Sequence, residues 1–295
     1  MLWVMTESKT WEVGVELSED HLGPLRFVAA LAQPDDRIVG LHVMPEAVRL
    51  HPLSKPEHLA TIRAQVESDV ALLLERAGAS SRIEVEVVED DHPELALTEY
   101  AEREHVEGLI VGRRARRDED PLIRLGEISR RVLHRLPVPV IVVPPDFGED
   151  GAGLDPGPVL LATNLDEHCA VAAKFAKQLA ARLGRPLLVA HGIEAFNWGV
   201  SYIPAETFEV MLEQARTRAS AKLHAWVVEQ GLEGASELVF LGDPARNLSS
   251  LVDDHQAALL VTGSRKLGPI ERIFLASISS ELAASTRCPT AIVPG

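Results

Sequence analysis

The sequence predicts an α/β protein built from two tandem doubly wound domains, each a five-stranded parallel sheet with helices on both faces. The chain has 295 residues, which suits two domains of the usual ~100–200 residues. Its second half repeats the first at an offset of roughly 150 residues, about the size of one domain. In both halves short apolar runs alternate with longer helical stretches. Such alternation favours a parallel sheet that helices cover on both sides.

The repeat can be followed element by element. Each half has an apolar first strand, a second strand that contains a histidine, a fourth strand that ends in glycine, and a last strand led by proline. The corresponding segments are 13–18 and 161–166, 38–43 and 186–192, 108–112 and 258–263, and 139–144 and 289–294. Helices are predicted to begin at Pro93 and at Pro244, because proline suits the first helical turn. Each half thus runs strand, helix, strand, long helix, strand, helix, strand, helix, strand.

A segment rich in glycine, aspartate and proline separates the two halves. Residues 148–157 have the sequence Gly-Glu-Asp-Gly-Ala-Gly-Leu-Asp-Pro-Gly, a composition typical of a flexible linker. We therefore predict a first domain over residues 1–147, a linker over 148–157 and a second domain over 158–295.

Bulk composition argues against several classes of partner. The net charge of −15 disfavours nucleic acid, whose phosphates it would repel. No apolar run approaches the ~20 residues of a membrane-spanning helix, and the first residues lack the basic region of a signal peptide. The two cysteines, Cys169 and Cys288, favour small buried side chains over a disulfide or metal site. We expect a cytoplasmic protein that does not bind a metal ion, a membrane or nucleic acid.

In both halves the fourth strand leads into a loop that contains glycine. Gly112-Arg-Arg-Ala115 is followed later by Gly126-Glu127, and Gly263-Ser-Arg-Lys266 by nine residues and then Ala276-Ser277. Over its whole length the chain resembles a tandem universal stress protein, whose loop has the form G-x-x-G-x9-G-[ST]. The resemblance implies a Rossmann-like, adenine nucleotide alpha hydrolase-like fold in which this loop holds the phosphates and ribose of ATP or AMP. Members of that family are nucleotide binders or non-binders, and the resemblance implies a protein of the stress response.

The resemblance assigns candidate cofactor-binding positions in both copies. The family's acid at the end of the first strand corresponds to Glu16 and Asn164. Its main-chain adenine contact, just after the histidine of the second strand, corresponds to Val43 and Gly192. The loop positions are Gly112 and Gly126 in the first copy, and Gly263, Arg265, Lys266, Ser277 and Ile278 in the second.

Both loops depart from the family pattern. In the first copy Ala115 replaces a glycine and Glu127 replaces the serine or threonine, so a carboxylate stands where a phosphate is expected. The second copy keeps the spacing and Ser277, while Lys266 and Ala276 replace glycines. We therefore predict that any nucleotide binds mainly in the second domain.

Other polar residues have a plain structural interpretation. A basic run consists of Arg113, Arg114, Arg116 and Arg117. Three acidic residues follow it, which favours a solvated, internally paired loop over an anion site. For Arg265 and Lys266 an anion-binding role and a surface role are both open. His42 and His191, at equivalent strand ends, are predicted to hydrogen-bond to the backbone and to take no part in catalysis.

Three functions follow from these patterns. The leading hypothesis is a regulatory stress-response module whose second domain binds an adenine nucleotide or another small anionic ligand. The second is a structural or protein-interaction module with vestigial pockets. The third, slow ATP hydrolysis or phosphoryl transfer, ranks lowest because the chain has no P-loop of the form G-x-x-x-x-G-K-[ST]. We also expect the two domains to pair within the chain, with homodimer formation left open.

Overall fold

The chain forms two compact units, Met1–Leu154 and Asp155–Gly295. The computed structural model describes residues 8–18, 22–46, 56–114, 125–151, 153–193, 203–264 and 278–295. None of the helices in these ranges combines the length and the apolar character that crossing a membrane requires.

The first unit alternates strands and helices along the chain. Its elements are β1 (Thr10–Gly14), α1 (Leu22–Leu31), β2 (Arg37–Met44), α2 (Pro56–Arg76), β3 (Glu84–Glu89), α3 (Pro93–Arg103), β4 (Gly108–Gly112), α4 (Glu127–Arg135) and β5 (Val140–Val143). The strands are parallel and lie in the order β3-β2-β1-β4-β5. The order reverses between β1 and β4, which makes this the switch point of the sheet.

The second unit repeats the same elements. They are β6 (Val159–Thr163), α5 (Cys169–Leu183), β7 (Leu187–Ile193), α6 (Ala205–Glu229), β8 (Ser236–Leu241), α7 (Pro244–Asp254), β9 (Leu259–Ser264), α8 (Ile278–Ser285) and β10 (Thr290–Pro294). Its parallel strands lie in the order β8-β7-β6-β9-β10, with the switch point between β6 and β9. The predicted fold class, two doubly wound α/β domains of five strands, is confirmed.

Buried aliphatic side chains hold each sheet against its helices. All five residues of β6 and all four of β5 are buried, as expected for parallel strands that helices cover on both faces. In the second unit Leu160 of β6 packs in a cluster with Leu188, Leu248 and Leu282, from β7, α7 and α8. Each fully buried leucine contributes about 2 kcal/mol of transfer free energy, so this cluster fixes α7 and α8 on the sheet.

Glu12 breaks this apolar pattern at the centre of the first sheet. It lies on β1 in register with Val39 and Leu109, at the position that Leu160 occupies in the second unit. The side chain is 0 % exposed, and neither carboxylate oxygen has a hydrogen-bond partner. Burial raises the pKa of Glu12 to about 9, opposed by the nearby charge of Arg103. At neutral pH the group is therefore a protonated, uncharged acid.

The two predicted helix starts are confirmed, but they are capped differently. Pro93 and Pro244 each begin a helix, α3 and α7. The side chain of Asp243 accepts a hydrogen bond of 2.8 Å from the backbone N–H of Arg246, whereas the side chain of His92 makes no capping bond. Only the second copy therefore has a side-chain N-cap at this helix.

The segment predicted as a linker is attached to the second unit at its far end. Arg287 donates a hydrogen bond of 3.1 Å to Asp155, and the backbone N–H of Gly157 donates to the carbonyl of Gln256 at 2.9 Å. A side chain on Gly157 would lie 2.1 Å from the carbonyl oxygen of His255, so the chain passes too close there for any other residue. The last residues of the predicted linker are thus part of a packed structure.

Candidate functional site

A cavity of about 400 Å³ opens at the carboxyl ends of the strands of the second unit, around the switch point between β6 and β9. Open parallel sheets bind their ligands in this crevice. The lining residues come from β6, β7, β8 and β9, from α5, α7 and α8, and from the turn between β6 and α5. They are Ala162, Thr163, Asn164, Asp166, His168, Cys169, Ala190, Gly192, Phe240, Pro244, Leu248, Thr262, Gly263, Ser264, Ile278 and Ser279.

A polar turn just after β6 forms one side of the cavity. The amide of Asn164 donates a hydrogen bond of 2.7 Å to the carboxylate of Asp166, and the Asp166 carboxylate accepts one of 3.2 Å from the backbone N–H of Cys169. The thiol of Cys169 in turn donates to the amide oxygen of Asn164 at 3.0 Å. Asn164 is therefore held in place by both neighbours before any ligand enters.

Leu165 lies in a strained backbone conformation within this turn. Its φ of 67° places a branched side chain in the left-handed region, which costs about 1–2 kcal/mol. Its N–H donates a hydrogen bond of 3.0 Å to the hydroxyl of Thr163, which supports the turn. Residues in such conformations cluster at binding and active sites, and Leu165 directly follows Asn164 in the turn that lines the cavity.

The first turn of α8 forms the opposite side. The hydroxyl of Ser279 donates a hydrogen bond of 3.3 Å to the carbonyl of Gly263 and lies 3.2 Å from the hydroxyl of Thr262. The first unit has the same contact in stronger form, since Ser129 donates to the carbonyl of Gly112 at 2.6 Å. In both units a serine in the first helical turn therefore ties the helix to the end of the fourth strand.

The remaining wall is apolar and has small residues at its base. Ala190 and Gly192 of β7 lie beside Phe240 of β8 and Leu248 of α7. The corresponding residues of β2 in the first unit are Leu41 and Val43, by the register of the two sheets. The second unit thus leaves space where the first unit has branched side chains.

The two predicted histidine contacts are confirmed. Nδ1 of His42 lies 2.9 Å from the carbonyl oxygen of Val15, and Nδ1 of His191 lies 2.9 Å from that of Thr163. Because a carbonyl oxygen can only accept, the hydrogen of each ring is on Nδ1. Each histidine therefore links the end of the second strand to the end of the first.

Both cysteines are buried, as predicted, but their surroundings differ. Cys288 lies in the apolar cluster around Leu160, and burial raises the pKa of its thiol to about 12. Cys169 lines the cavity, where burial also raises its pKa, opposed by the hydrogen bond with Asn164. Both groups are uncharged thiols at neutral pH.

The structure brings together four of the predicted binding positions. Asn164, Gly192, Gly263 and Ile278 all line the same cavity. Arg265, Lys266 and Ser277 lie outside the described residues, as do Ala115 and Ala276. A role of these residues in binding a nucleotide stays a prediction.

The candidate positions of the first unit lie at the equivalent strand ends. Glu16 is exposed, just beyond β1, and Val43 is half-buried in β2. Gly112 ends β4, and Gly126 caps α4 with φ of 74°. At this φ a side chain is strained, so Gly126 is required by the backbone whether or not a ligand binds.

The structure changes the interpretation of two charged residues of the first unit. Glu127 is not a lone carboxylate, because Arg131 one turn later binds it and also donates to Glu94 at 3.2 Å.

Arg113 was predicted to lie in a solvated loop, and this is wrong, since its side chain is only 1 % exposed. Its backbone N–H donates to the carbonyl of Val143 at 2.8 Å, which continues the pairing of β4 with β5. This pairing keeps Arg113 at the end of the sheet.

Several lining residues could not be identified from the sequence as part of a site. Thr163, Cys169, Phe240 and Ser279 come from four different elements and reach the cavity only through the topology. One local signal was present for Thr163, because it immediately precedes Asn164 at the end of an apolar strand. The others carry no motif that distinguishes them from core residues.

Fold and cavity together define the class: a tandem doubly wound α/β protein with a ligand-sized cavity at the switch point of its second sheet. Within the described part of the chain, histidine, cysteine and acidic side chains do not form a group of three that could hold a metal ion.

The chain belongs to the universal stress protein family, whose model matches residues 12–144 and again 157–294. A universal stress protein of Mycolicibacterium smegmatis is 27 % identical over 296 aligned residues, covering 95 % of each chain. A universal stress protein of Thermus aquaticus is 30 % identical over 135 residues, which is 46 % of this chain and 96 % of its own length. The crystal structure of a universal stress protein from Archaeoglobus fulgidus has a TM-score of 0.67 at 21 % identity, covering 98 % of this chain and 99 % of its own. The tandem architecture and the fold are therefore shown.

Proposed function

We propose that this protein is a regulatory, non-catalytic stress-response module that binds an adenine nucleotide, ATP or AMP, in the cavity of its second unit. The observation that carries the proposal is the cavity itself, which lies at the switch point of the sheet and has a volume of about 400 Å³. Pockets for small molecules commonly range from ~300 to 1,000 Å³ and combine an apolar wall with a few fixed polar groups. This cavity has both.

The arrangement of the walls suits the parts of a nucleotide. Ala190, Phe240 and Leu248 supply an apolar end for a base. Asn164, already oriented by Asp166 and Cys169, offers hydrogen-bonding groups for a sugar. Gly263 and the first turn of α8 form the end for a phosphate, because a helix N-terminus carries partial positive charge and free N–H groups.

The first unit supports a different role for the other half of the chain. Leu41 and Val43 stand where the second unit has Ala190 and Gly192, and Leu41 is buried in the core. These residues favour a packed, non-binding domain, which is the structural or protein-interaction function considered above. We therefore assign binding to the second unit and a structural role to the first. Pairing of the two domains within the chain, and homodimer formation, stay predictions.

The two free thiols suit a reducing compartment. We therefore place the protein in the cytoplasm.

The proposal is tested by measuring nucleotide in the purified protein and by calorimetric titration with ATP and AMP. Gly263→Val and Ser277→Ala are expected to weaken binding at least about tenfold. Gly126→Val, which strains the backbone of the first unit at φ of 74°, is expected to lower the stability of that unit and to leave the nucleotide affinity of the second unit unchanged. An equal loss of nucleotide affinity from substitutions in the first and in the second unit would contradict the assignment of binding to the second unit. A protein that contains no nucleotide and binds neither ATP nor AMP would favour the interaction module, and turnover of ATP with Mg²⁺ would favour an enzyme.

A further inference from the structure

We infer that Phe240 is a specificity-determining residue of the second unit, and that its ring forms the surface against which a flat aromatic ring of the ligand packs. The inference rests on the proposed nucleotide site and deepens it by naming the side chain on which the base stacks. It concerns a side chain outside the glycine-containing loop and outside the predicted binding positions.

The position of Phe240 depends on Gly192. The two residues are in register on the neighbouring parallel strands β8 and β7. A Cβ atom on Gly192 would lie 2.6 Å from Cε2 and 2.8 Å from Cζ of the Phe240 ring, which is closer than real Cβ atoms come to a neighbour. The ring therefore occupies the space that any side chain at position 192 would need.

The core holds the ring from behind. Phe240 packs against the cluster that contains Leu188, Ala190 and Leu248, so its position is fixed by buried neighbours. It is nevertheless half-buried rather than buried, and it lines the cavity. A fixed aromatic ring that contributes surface to a ligand-sized cavity is pre-organised for packing against another ring.

The first unit shows that the fold itself does not require this pair. There the residues in the equivalent register are Val43 and Val88, and the same two strands pair in the same direction without an aromatic ring. The Gly192 and Phe240 pair thus accompanies the cavity of the second unit and is absent from the described strands β2 and β3 of the first.

Aromatic rings discriminate between ligands in a way that aliphatic side chains do not. Stacking of a nucleobase on an aromatic side chain changes affinity by roughly tenfold or more, and every base offers a flat face. An aliphatic wall would accept any apolar group of suitable size. The ligand class indicated is therefore a flat heteroaromatic ring joined to a polar group that reaches Asn164 and Gly263.

The test compares Phe240→Tyr, which keeps the ring, with Phe240→Leu, which keeps apolar bulk without it. AMP and adenosine are titrated against the wild-type chain and both variants, with thermal unfolding to establish that each is folded. We expect Phe240→Tyr to bind within about threefold of wild type, and Phe240→Leu to lose about tenfold for both ligands. Transferred nuclear Overhauser effects should connect the phenyl protons to the H2 or H8 proton of AMP in the wild type.

A second variant tests the same ring without changing it. Gly192→Ala places a methyl group where the ring lies and is expected to weaken AMP binding about as much as Phe240→Leu, whereas Val88→Ala, at the first-unit counterpart of Phe240, has no effect. If wild type binds AMP but Phe240→Leu and Phe240→Tyr bind it equally well, the inference is wrong and the proposed function stands. If wild type binds neither AMP nor adenosine, the proposed function itself fails.

Discussion

Replacing Glu12 by leucine should stabilise the first unit at neutral pH and remove the part of its pH dependence that Glu12 causes. The folded chain holds Glu12 with a pKa of about 9, against 4.5 for an ordinary glutamate. Because the folded pKa is raised, the folded state binds the proton more tightly than the unfolded state. The contribution of Glu12 to stability is therefore greatest below pH 4.5 and falls as the pH rises toward 9.

The size of the effect follows from the same two values. Each pH unit in this window costs about 1.4 kcal/mol, so at pH 7, some 2.5 units above the unfolded value, burial of Glu12 costs about 3 kcal/mol. Leucine occupies the equivalent position in the second unit as Leu160, which is fully buried. We expect Glu12→Leu to recover most of the 3 kcal/mol at pH 7 and little at pH 4.5.

The assay is urea unfolding at pH 5, 7 and 8.5, combined with hydrogen exchange of peptides from each unit, so that the two transitions are assigned separately. Glu99→Leu, at an exposed position of α3, serves as the matched control and should leave the pH dependence unchanged. The reverse change, Leu160→Glu, should create a similar pH dependence in the second unit. If Glu12→Leu and wild type lose stability equally between pH 5 and 8.5, the buried carboxyl is not the cause.

Three further outcomes are expected. Ala190→Leu, which introduces the residue that the first unit has at this position, should reduce AMP affinity at least about tenfold by filling the cavity; unchanged affinity in calorimetry would place the ligand elsewhere. Asp243→Ala should cost about 1 kcal/mol of unfolding free energy through loss of the N-cap of α7, whereas His92→Ala, at the uncapped helix α3, should cost almost nothing in the same urea titration. Iodoacetamide at pH 8 should label Cys169 slowly and Cys288 more slowly still, and AMP should slow the labelling of Cys169. The rates are measured by mass spectrometry of the labelled peptides. Equal rates for the two cysteines would show that the cavity is closed to solvent.

The sequence predicted the fold well because its signals were local and occurred twice. Pro93 and Pro244 marked helix starts, and the apolar runs marked strands of the correct type and order along the chain. Burial depends on contacts between distant segments, and there the prediction was weaker. Arg113 belongs to a basic pattern that is usually solvated, yet it is buried, and its backbone N–H bonds to Val143 at the end of β5. Glu12 was not recognised because one acidic residue in a short strand does not reveal which face the core covers.

The candidate site was predicted only where a motif marked it. Asn164 and Gly263 follow from the family pattern, and both line the cavity. Phe240 belongs to a strand without a motif, and its role depends on register with Gly192, which no local pattern specifies. Reasoning from the sequence therefore finds the loops of such a site more easily than the wall opposite them.

The two equivalent histidines, one in each unit, serve as natural spectroscopic probes. Nδ1 of both His42 and His191 faces a backbone carbonyl oxygen. Each neutral ring therefore has its hydrogen on Nδ1, and the ¹⁵N shifts of this tautomer differ from those of the Nε2–H tautomer. The carbonyl beneath His191 belongs to Thr163, a residue of the cavity wall, whereas the one beneath His42 belongs to the first unit. One resonance thus monitors the cavity while the other serves as an internal reference in the same spectrum, so occupancy of a single domain can be followed without attaching a probe.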